Sequence, residues 1–397
     1  MDKRSTRLEW IEGLRSIACL CIFSHHFFAT FYPVIIYGTD TRGASPATLA
    51  LVQSPLSVVV NGNFWVCVFC IIAGYVASMP RFSTPQETAL SFSRLSDSLI
   101  KRYLRLTLPA FVISLLVTLL YKGNFFSHLS FSERFDASWA ALWYQEDIYT
   151  VKSLLVESFA RLCFVGSDKY IVSLWTISYL FYGYYASILL AEMSWGKSKR
   201  ILLVYGFVIL CCVVSGLKLC IMSCFPIGTL LAYLSRSSTS GRRPTWHTAV
   251  ALLMLLLGLF LGAFPTYFKP SNIYRFLDYA FLPTEAYALY HVIGSFLFMA
   301  ALCQLPSLRH LLSGGLLVRL GKISFSLYLV HIPVILTIGT RTALFLFDHG
   351  VETYHLAVLV SLVITLCAVF LLSYAFMRLV EQPCGKLSQK LIESLRA

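Results

Sequence analysis

Apolar residues run through this chain in long blocks broken by short polar and basic segments, and runs near or above 18 residues recur from residue 14 almost to the C-terminus. A helix rising about 1.5 Å per residue needs roughly 20 such residues to cross a hydrocarbon core about 30 Å thick. Ten candidate spans follow: 14–37, 56–78, 103–121, 171–191, 201–214, 217–234, 246–264, 286–305, 323–347 and 355–379. They predict an all-α polytopic membrane protein of about ten transmembrane helices, one domain over residues 1–397 with its core in 10–383.

Ten is even, so both termini face one side, and the basic residues test this independently of hydropathy. Of the 32 Lys and Arg residues, 22 fall on the side of the N-terminus, including Arg15, Arg81, Arg102, Arg105, Arg309 and Arg319. The other side keeps 10, five of them in the segment 122–170, where six acidic residues offset them. Positive charge accumulates on the cytosolic side of a membrane protein, so both termini are expected in the cytosol. The aromatic-rich segment 122–170 is then a lumenal or extracellular loop region, expected to pack over the spans as a lid or interfacial helix. The polar start and the absence of a small-residue cleavage site make the first span a signal anchor.

Composition narrows the classes further. Hydrophobic residues make up 57% of the chain against 13% charged, and the mean hydropathy is +0.72, which excludes a soluble enzyme, a disordered tail or a secreted disulfide scaffold. The net charge of +13 is distributed among short inter-span segments rather than one basic patch, so no nucleic-acid partner is expected. All twelve cysteines except Cys163 and Cys384 lie in apolar runs, where a thiol acts as a small hydrophobe. Cys67 and Cys70 have C-x-x-C spacing but no second pair at metal-ligand distance, so helix packing is expected and no metal. No internal repeat marks a secondary transporter.

Ionisable side chains inside a membrane are costly and usually face an internal cavity. Arg15, His25 and His26 lie in the first span. Eleven residues on an α-helix are three turns plus about 20°, so Arg15 and His26 share a face about 16 Å apart in height. Arg102 and Arg105, in KRYLRL, stand at i, i+3 at the start of the third span, a spacing that suits phosphate groups. His331 lies about nine residues into the ninth span, at a depth like that of His26. Each also has a structural reading: arginines that anchor helix ends and histidines that hydrogen-bond neighbouring helices. An intramembrane imidazole reached from an arginine-lined cytosolic mouth suits an anionic cosubstrate with a long thin arm, and coenzyme A thioesters have that shape.

These residues resemble the acyltransferase 3 family of polytopic membrane O-acyltransferases. The motifs run in order from EGLRSIA, with Arg15 and His26 at the family's Arg-x10-His spacing, through FCIIAGYVAS, with Ala73 where Ser is common. Arg102-x-x-Arg105, SLWTISYLFYGYY, FPIGTLLAYL, GKISFSLYLVHIPV and Val380-Glu381-Gln382-Pro383 follow. The resemblance implies transfer of an acyl group, usually acetyl, from cytosolic acyl-CoA to a hydroxyl. His26 is then the catalytic histidine with Arg15 its partner, and Arg102 and Arg105 belong to the acyl-donor site. His331, Tyr328, Trp175 and Glu381 are further candidates for contacts to substrate. Chains of this length resemble fungal enzymes that decorate small secondary metabolites. After the LW[ST] motif, Leu180 stands where relatives carry an acid, a role that Glu381 or Glu285 would then have to supply.

The expected chemistry is general-base activation of the acceptor hydroxyl by His26, a neutral imidazole of reference pKa about 6.5. A covalent acyl-histidine remains an alternative. So does acylation of glycan hydroxyls, and so does transport or lipid handling without acyl transfer, with His26 and His331 as a proton relay. Acyl-CoA, acetyl-CoA in the first place, is a cosubstrate rather than a resident cofactor. The expected partners are acyl-CoA, a small hydroxylated acceptor and the lipid bilayer, and the expected location is the endoplasmic reticulum membrane.

Overall fold

A computed structural model describes residues 8–38, 45–83, 92–144, 150–194, 201–235, 245–267, 273–277 and 286–396. Among the described residues there is no β-strand. Nine helices among the described residues are long and apolar enough to cross a membrane: α1 (Glu9–Phe31), α2 (Gly62–Phe82), α3 (Ser93–Lys122), α4 (Val172–Ser194), α5 (Leu217–Ser235), α6 (Thr245–Gly262), α7 (Tyr287–Gln304), α8 (Ser324–Asp348) and α9 (Tyr354–Arg396). They coincide with nine of the ten apolar runs. The remaining run forms the helix Ile201–Val214 of 14 residues, about 21 Å long and so short of a roughly 30 Å core. Large apolar side chains such as Leu203, Phe207, Leu256 and Leu371 are exposed, as lipid-facing helix surfaces require. The protein is an integral multi-pass membrane protein.

The chain forms two compact units. The first comprises Met1–Ile22, Pro46–Leu90 and Tyr182–Lys322. Its central pair is α2 against α5, where two glycines let the backbones nearly touch. A Cβ on Gly74 would lie 2.3 Å from the Phe225 carbonyl oxygen, and one on Gly228 would lie 2.1 Å from that of Ile71. Between apolar helices without a hydrophobic driving force, close packing at small residues is what holds the pair together. The motifs FCIIAGYVAS and FPIGTLLAYL are therefore two halves of one contact. Cys67 and Cys70 are buried in this unit as free thiols. On the first turns of α1, a Cβ on Gly13 would meet the Leu312 carbonyl oxygen at 1.8 Å.

The second unit comprises Phe23–Ser45, Ser91–Phe181 and Ile323–Ala397. Here α8 packs on α9, and Pro333 is followed by a π-helical turn, Ile335–Gly339. Such a turn widens the helix locally and is common beside functional residues. The end of α9 is tied to α3: Lys101 Nζ donates to Gln389 at 2.6 Å, and Arg396 pairs with Asp97. Segment 122–170 contributes short helices, among them His128–Phe135 and Ser138–Ala141. They are pinned to α8 by Ser127 on Thr340 at 2.9 Å, by the Arg134–Asp348 ion pair and by Phe135 against Phe347.

Replacing Gly228 by Val forces the α2–α5 pair apart, and overpacking of this kind costs about 1–3 kcal/mol. The melting temperature of the detergent-purified protein is expected to fall by several degrees, whereas Gly206→Val, where nothing lies within 4 Å, leaves it nearly unchanged.

Candidate active site

The second unit brings together two of the histidines singled out in the sequence. His26 sits on α1 and His331 on α8, and His331 Nε2 lies 3.1 Å from His26 Nδ1. His331 Nδ1 lies 3.1 Å from the Leu327 carbonyl oxygen. A carbonyl only accepts, so Nδ1 carries the proton of a neutral His331 and Nε2 is its acceptor. His26 must then donate through Nδ1, which puts its lone pair on Nε2. A backbone carbonyl four residues upstream thus selects, through one imidazole, the tautomer of the next. His331 is 1% exposed, while His26 is half-buried. The neighbouring His25 is buried and meets His26 edge-on at 5.1 Å between ring centres.

Trp139 faces the pair from the short helix Ser138–Ala141, its ring centre 5.7 Å from that of His26. Sequence reasoning did not select Trp139. The available signal was the pair Trp139 and Trp143 in SWAALWY, four residues apart within the segment expected to cover the spans. Trp143 stands 5.9 Å beyond Trp139, and its backbone carbonyl accepts from His128 Nε2 at 2.8 Å.

Tyr328 lies on α8 with its ring 5.9 Å from His331, and its hydroxyl donates to the Ser173 carbonyl oxygen at 2.8 Å. Thr176 Oγ1 is 2.8 Å from the same hydroxyl, so Tyr328 joins α8 to the start of α4. Trp175 is half-buried and packs edge-on against Tyr179 at 5.1 Å. Glu381 accepts from Ser326 Oγ at 2.6 Å, five residues and about 7.5 Å of helix rise from His331.

Arg102 and Arg105 share one stretch of α3 at the expected i, i+3 spacing. Arg102 Nη2 donates to the Leu180 carbonyl oxygen at 3.3 Å, so at position 180 the guanidinium meets backbone oxygen. Arg105 is exposed. In the first unit, Arg15 is paired with Glu12 at 3.1 Å. Glu285 lies outside the described residues. No group of three or more His, Cys, Asp or Glu side chains among the described residues could hold a metal ion.

A multi-pass helical membrane protein carrying a hydrogen-bonded pair of imidazoles, one buried and one half-buried, and an arginine pair at a helix start is a class compatible with acyl transfer. Comparison with known proteins identifies it further: the chain belongs to the acyltransferase 3 family, whose acyltransferase-domain model matches residues 8–377 and so takes in both units. It is similar to the acyltransferase clz18 of Cochliobolus lunatus, 24% identical over 97% of this chain and 96% of that protein. Acyltransferase R4 of a Phoma species is also 24% identical, over 96% of this chain and 95% of its own. The O-acetyltransferase PaAT-1 of Phomopsis amygdali matches 30% of this chain and 23% of its own length at 24% identity. No solved structure matches the chain.

Burial lowers the pKa of His128 below its ordinary value of 6.5, a shift that the hydrogen bond to Trp143 only partly offsets. The unfolded chain therefore binds this proton more readily than the folded one. The stability His128 contributes is present above about pH 6.5 and is lost as pH falls toward the folded pKa. Between pH 7.5 and 5.5 the melting temperature is expected to drop more for wild type than for His128→Gln, measured by differential scanning fluorimetry.

Proposed function

We propose that this protein is an acyl-CoA-dependent O-acyltransferase that moves an acyl group, acetyl in the first instance, to a hydroxyl of a small-molecule acceptor such as a secondary metabolite. The observation that carries this reading is the chain Leu327 carbonyl, His331, His26, which gives His26 Nε2 the lone pair of a general base. The family membership supports acyl transfer, and the printed name of PaAT-1, an O-acetyltransferase, supports the choice of acetyl and of an oxygen acceptor.

In this reading His26 Nε2 takes the proton of the acceptor hydroxyl as its oxygen attacks the thioester carbonyl carbon. The C–S bond then breaks, and the proton returns from the imidazolium to the CoA thiolate. His331 is a positioning residue: as a neutral imidazole it fixes the tautomer without adding the negative charge that a carboxylate partner would. Arg102 and Arg105 bind phosphate groups of the donor, Arg105 being the more accessible of the two. The Glu12–Arg15 pair is assigned no atom of the reaction. The distribution of basic residues favours cytosolic termini, an arrangement that requires Ile201–Val214 to cross as well, and the endoplasmic reticulum is the proposed membrane.

The test is acetyl transfer from labelled acetyl-CoA by protein reconstituted in lipid. His26→Ala is expected to lower kcat/KM by roughly 10³-fold. His331→Ala is expected to lower kcat by roughly 10²-fold with KM for acetyl-CoA unchanged, and to move the acidic limb of the pH–rate profile. Full activity of His26→Ala refutes the assigned base. Arg105→Ala is expected to raise KM for acetyl-CoA several-fold at unchanged kcat, since it removes a contact that persists from ground state to transition state.

A further inference from the structure

The four-residue helix Ser138–Ala141 that carries Trp139 is entered and left through left-handed residues that are not glycine, Asp136 at φ 53° and Tyr144 at φ 57°. An Asp tolerates this conformation by bonding its own backbone locally. An aromatic residue does not, and a left-handed turn there persists only where the surroundings over-determine it. The surroundings do so at both ends. Ser132 Oγ donates to the Ala137 carbonyl oxygen at 2.9 Å, His128 Nε2 to that of Trp143 at 2.8 Å, and the Tyr144 hydroxyl to that of Tyr170 at 2.9 Å. Strain held in place this firmly is a mark of segments that position something for function.

What the segment positions is an indole against the base. Trp139 is 7% exposed, and its ring centre lies 5.7 Å from that of His26. Outside it stand Trp143, half-buried at 5.9 Å, and the exposed Leu142. Two indoles in series therefore separate the surface of the covering segment from the imidazole. His25 and His331 meet His26 with polar rings, whereas Trp139 meets it with an apolar one.

A general base does not distinguish an alcohol from water. If water stands beside His26 Nε2, its oxygen bonds to the thioester carbonyl carbon while the imidazole takes its proton. The C–S bond breaks, the imidazolium returns the proton to the CoA thiolate, and acetic acid and CoA leave in place of product. Excluding water is the general defence of a transferase against this loss. We infer that Trp139 sets the choice between acyl transfer and hydrolysis: its indole keeps water from the His26 imidazole, and the anchored 137–143 segment exists to hold it there. The inference deepens the acyl-transfer reading and rests on it for the donor and for His26 as base. Truncating Trp139 leaves a space larger than a water molecule needs with imidazole on one side, the conditions under which a cavity hydrates.

The test needs no acceptor. Full-length protein in phosphatidylcholine nanodiscs is given acetyl-CoA alone, and release of free CoA thiol is followed. Trp139→Ala is expected to hydrolyse the thioester at least about 10-fold faster than wild type, inside the 10²–10⁴-fold that a general base supplies. Trp139→Phe, which keeps an apolar ring, is expected to stay near wild type. Combining Trp139→Ala with His26→Ala abolishes the gain. A purely structural role for Trp139 lowers rates and cannot raise one. Trp139→Leu, a smaller truncation, serves as a second variant, and calorimetric binding of acetyl-CoA at wild-type affinity shows which variants fold. Hydrolysis no faster than wild type in the variants that bind acetyl-CoA overturns the inference and leaves the acyl-CoA reading standing. So does a gain that survives the loss of His26. A wild type that does not bind acetyl-CoA refutes that reading, and the inference falls with it.

Discussion

A neutral imidazole has one proton for two nitrogens, and in an apolar bundle no water is at hand to choose which nitrogen keeps it. The second unit makes that choice with backbone. The Leu327 carbonyl takes the His331 proton, His331 takes that of His26, and the assignment ends at an atom that can do chemistry. The close contact of α8 with α9, the Tyr328 junction to the start of α4 and the covering helices all hold His331 and His26 in register.

The two units solve different packing problems. In the first, glycines bring helix backbones to distances at which a single methyl group would clash, and Asn61 and His291 meet at the Phe264 carbonyl oxygen. The second is stitched by side chains, with ion pairs at Arg134–Asp348 and Arg396–Asp97 and aromatic contacts running from Phe27 through Phe31 and Phe131 to Phe135. Close-packed glycine contacts make rigid frames, since the dispersion they gather depends steeply on separation.

Much of this was legible in the sequence because membrane helices advertise themselves by length and apolarity. Nine of ten runs appear as long helices, and the tenth, 201–214, is a helix of the length its apolar run has, 14 residues, too short for a full span. The depths of His26 and His331 followed from counting residues along two helices, and counting sufficed to place them at like depth. Counting could not show that they touch, since that depends on how α1 and α8 are rotated about their axes. Nor could it show that Tyr328 spends its hydroxyl on Ser173, or that Arg102 reaches the backbone of Leu180. Trp139 was illegible for another reason: it lies on a helix of four residues, too short to carry a periodic signal, and it reaches the site by tertiary folding alone.

The length of α9 has a consequence of its own. At 43 residues it measures about 64 Å, roughly twice the thickness of a hydrocarbon core. Its terminal turns, with Lys386 and Lys390 beside the exposed Leu387, Leu391 and Leu395, therefore extend past the hydrocarbon into headgroups or water. The ties from there to α3 are one ion pair, Arg396 with Asp97, and the Lys101–Gln389 hydrogen bond, and salt weakens accessible ion pairs while leaving apolar helix contacts alone. The junction of α3 with the end of α9 is thus a place where ionic strength reaches the fold, as it does at Arg134–Asp348 and does not at the glycine contacts of α2 and α5.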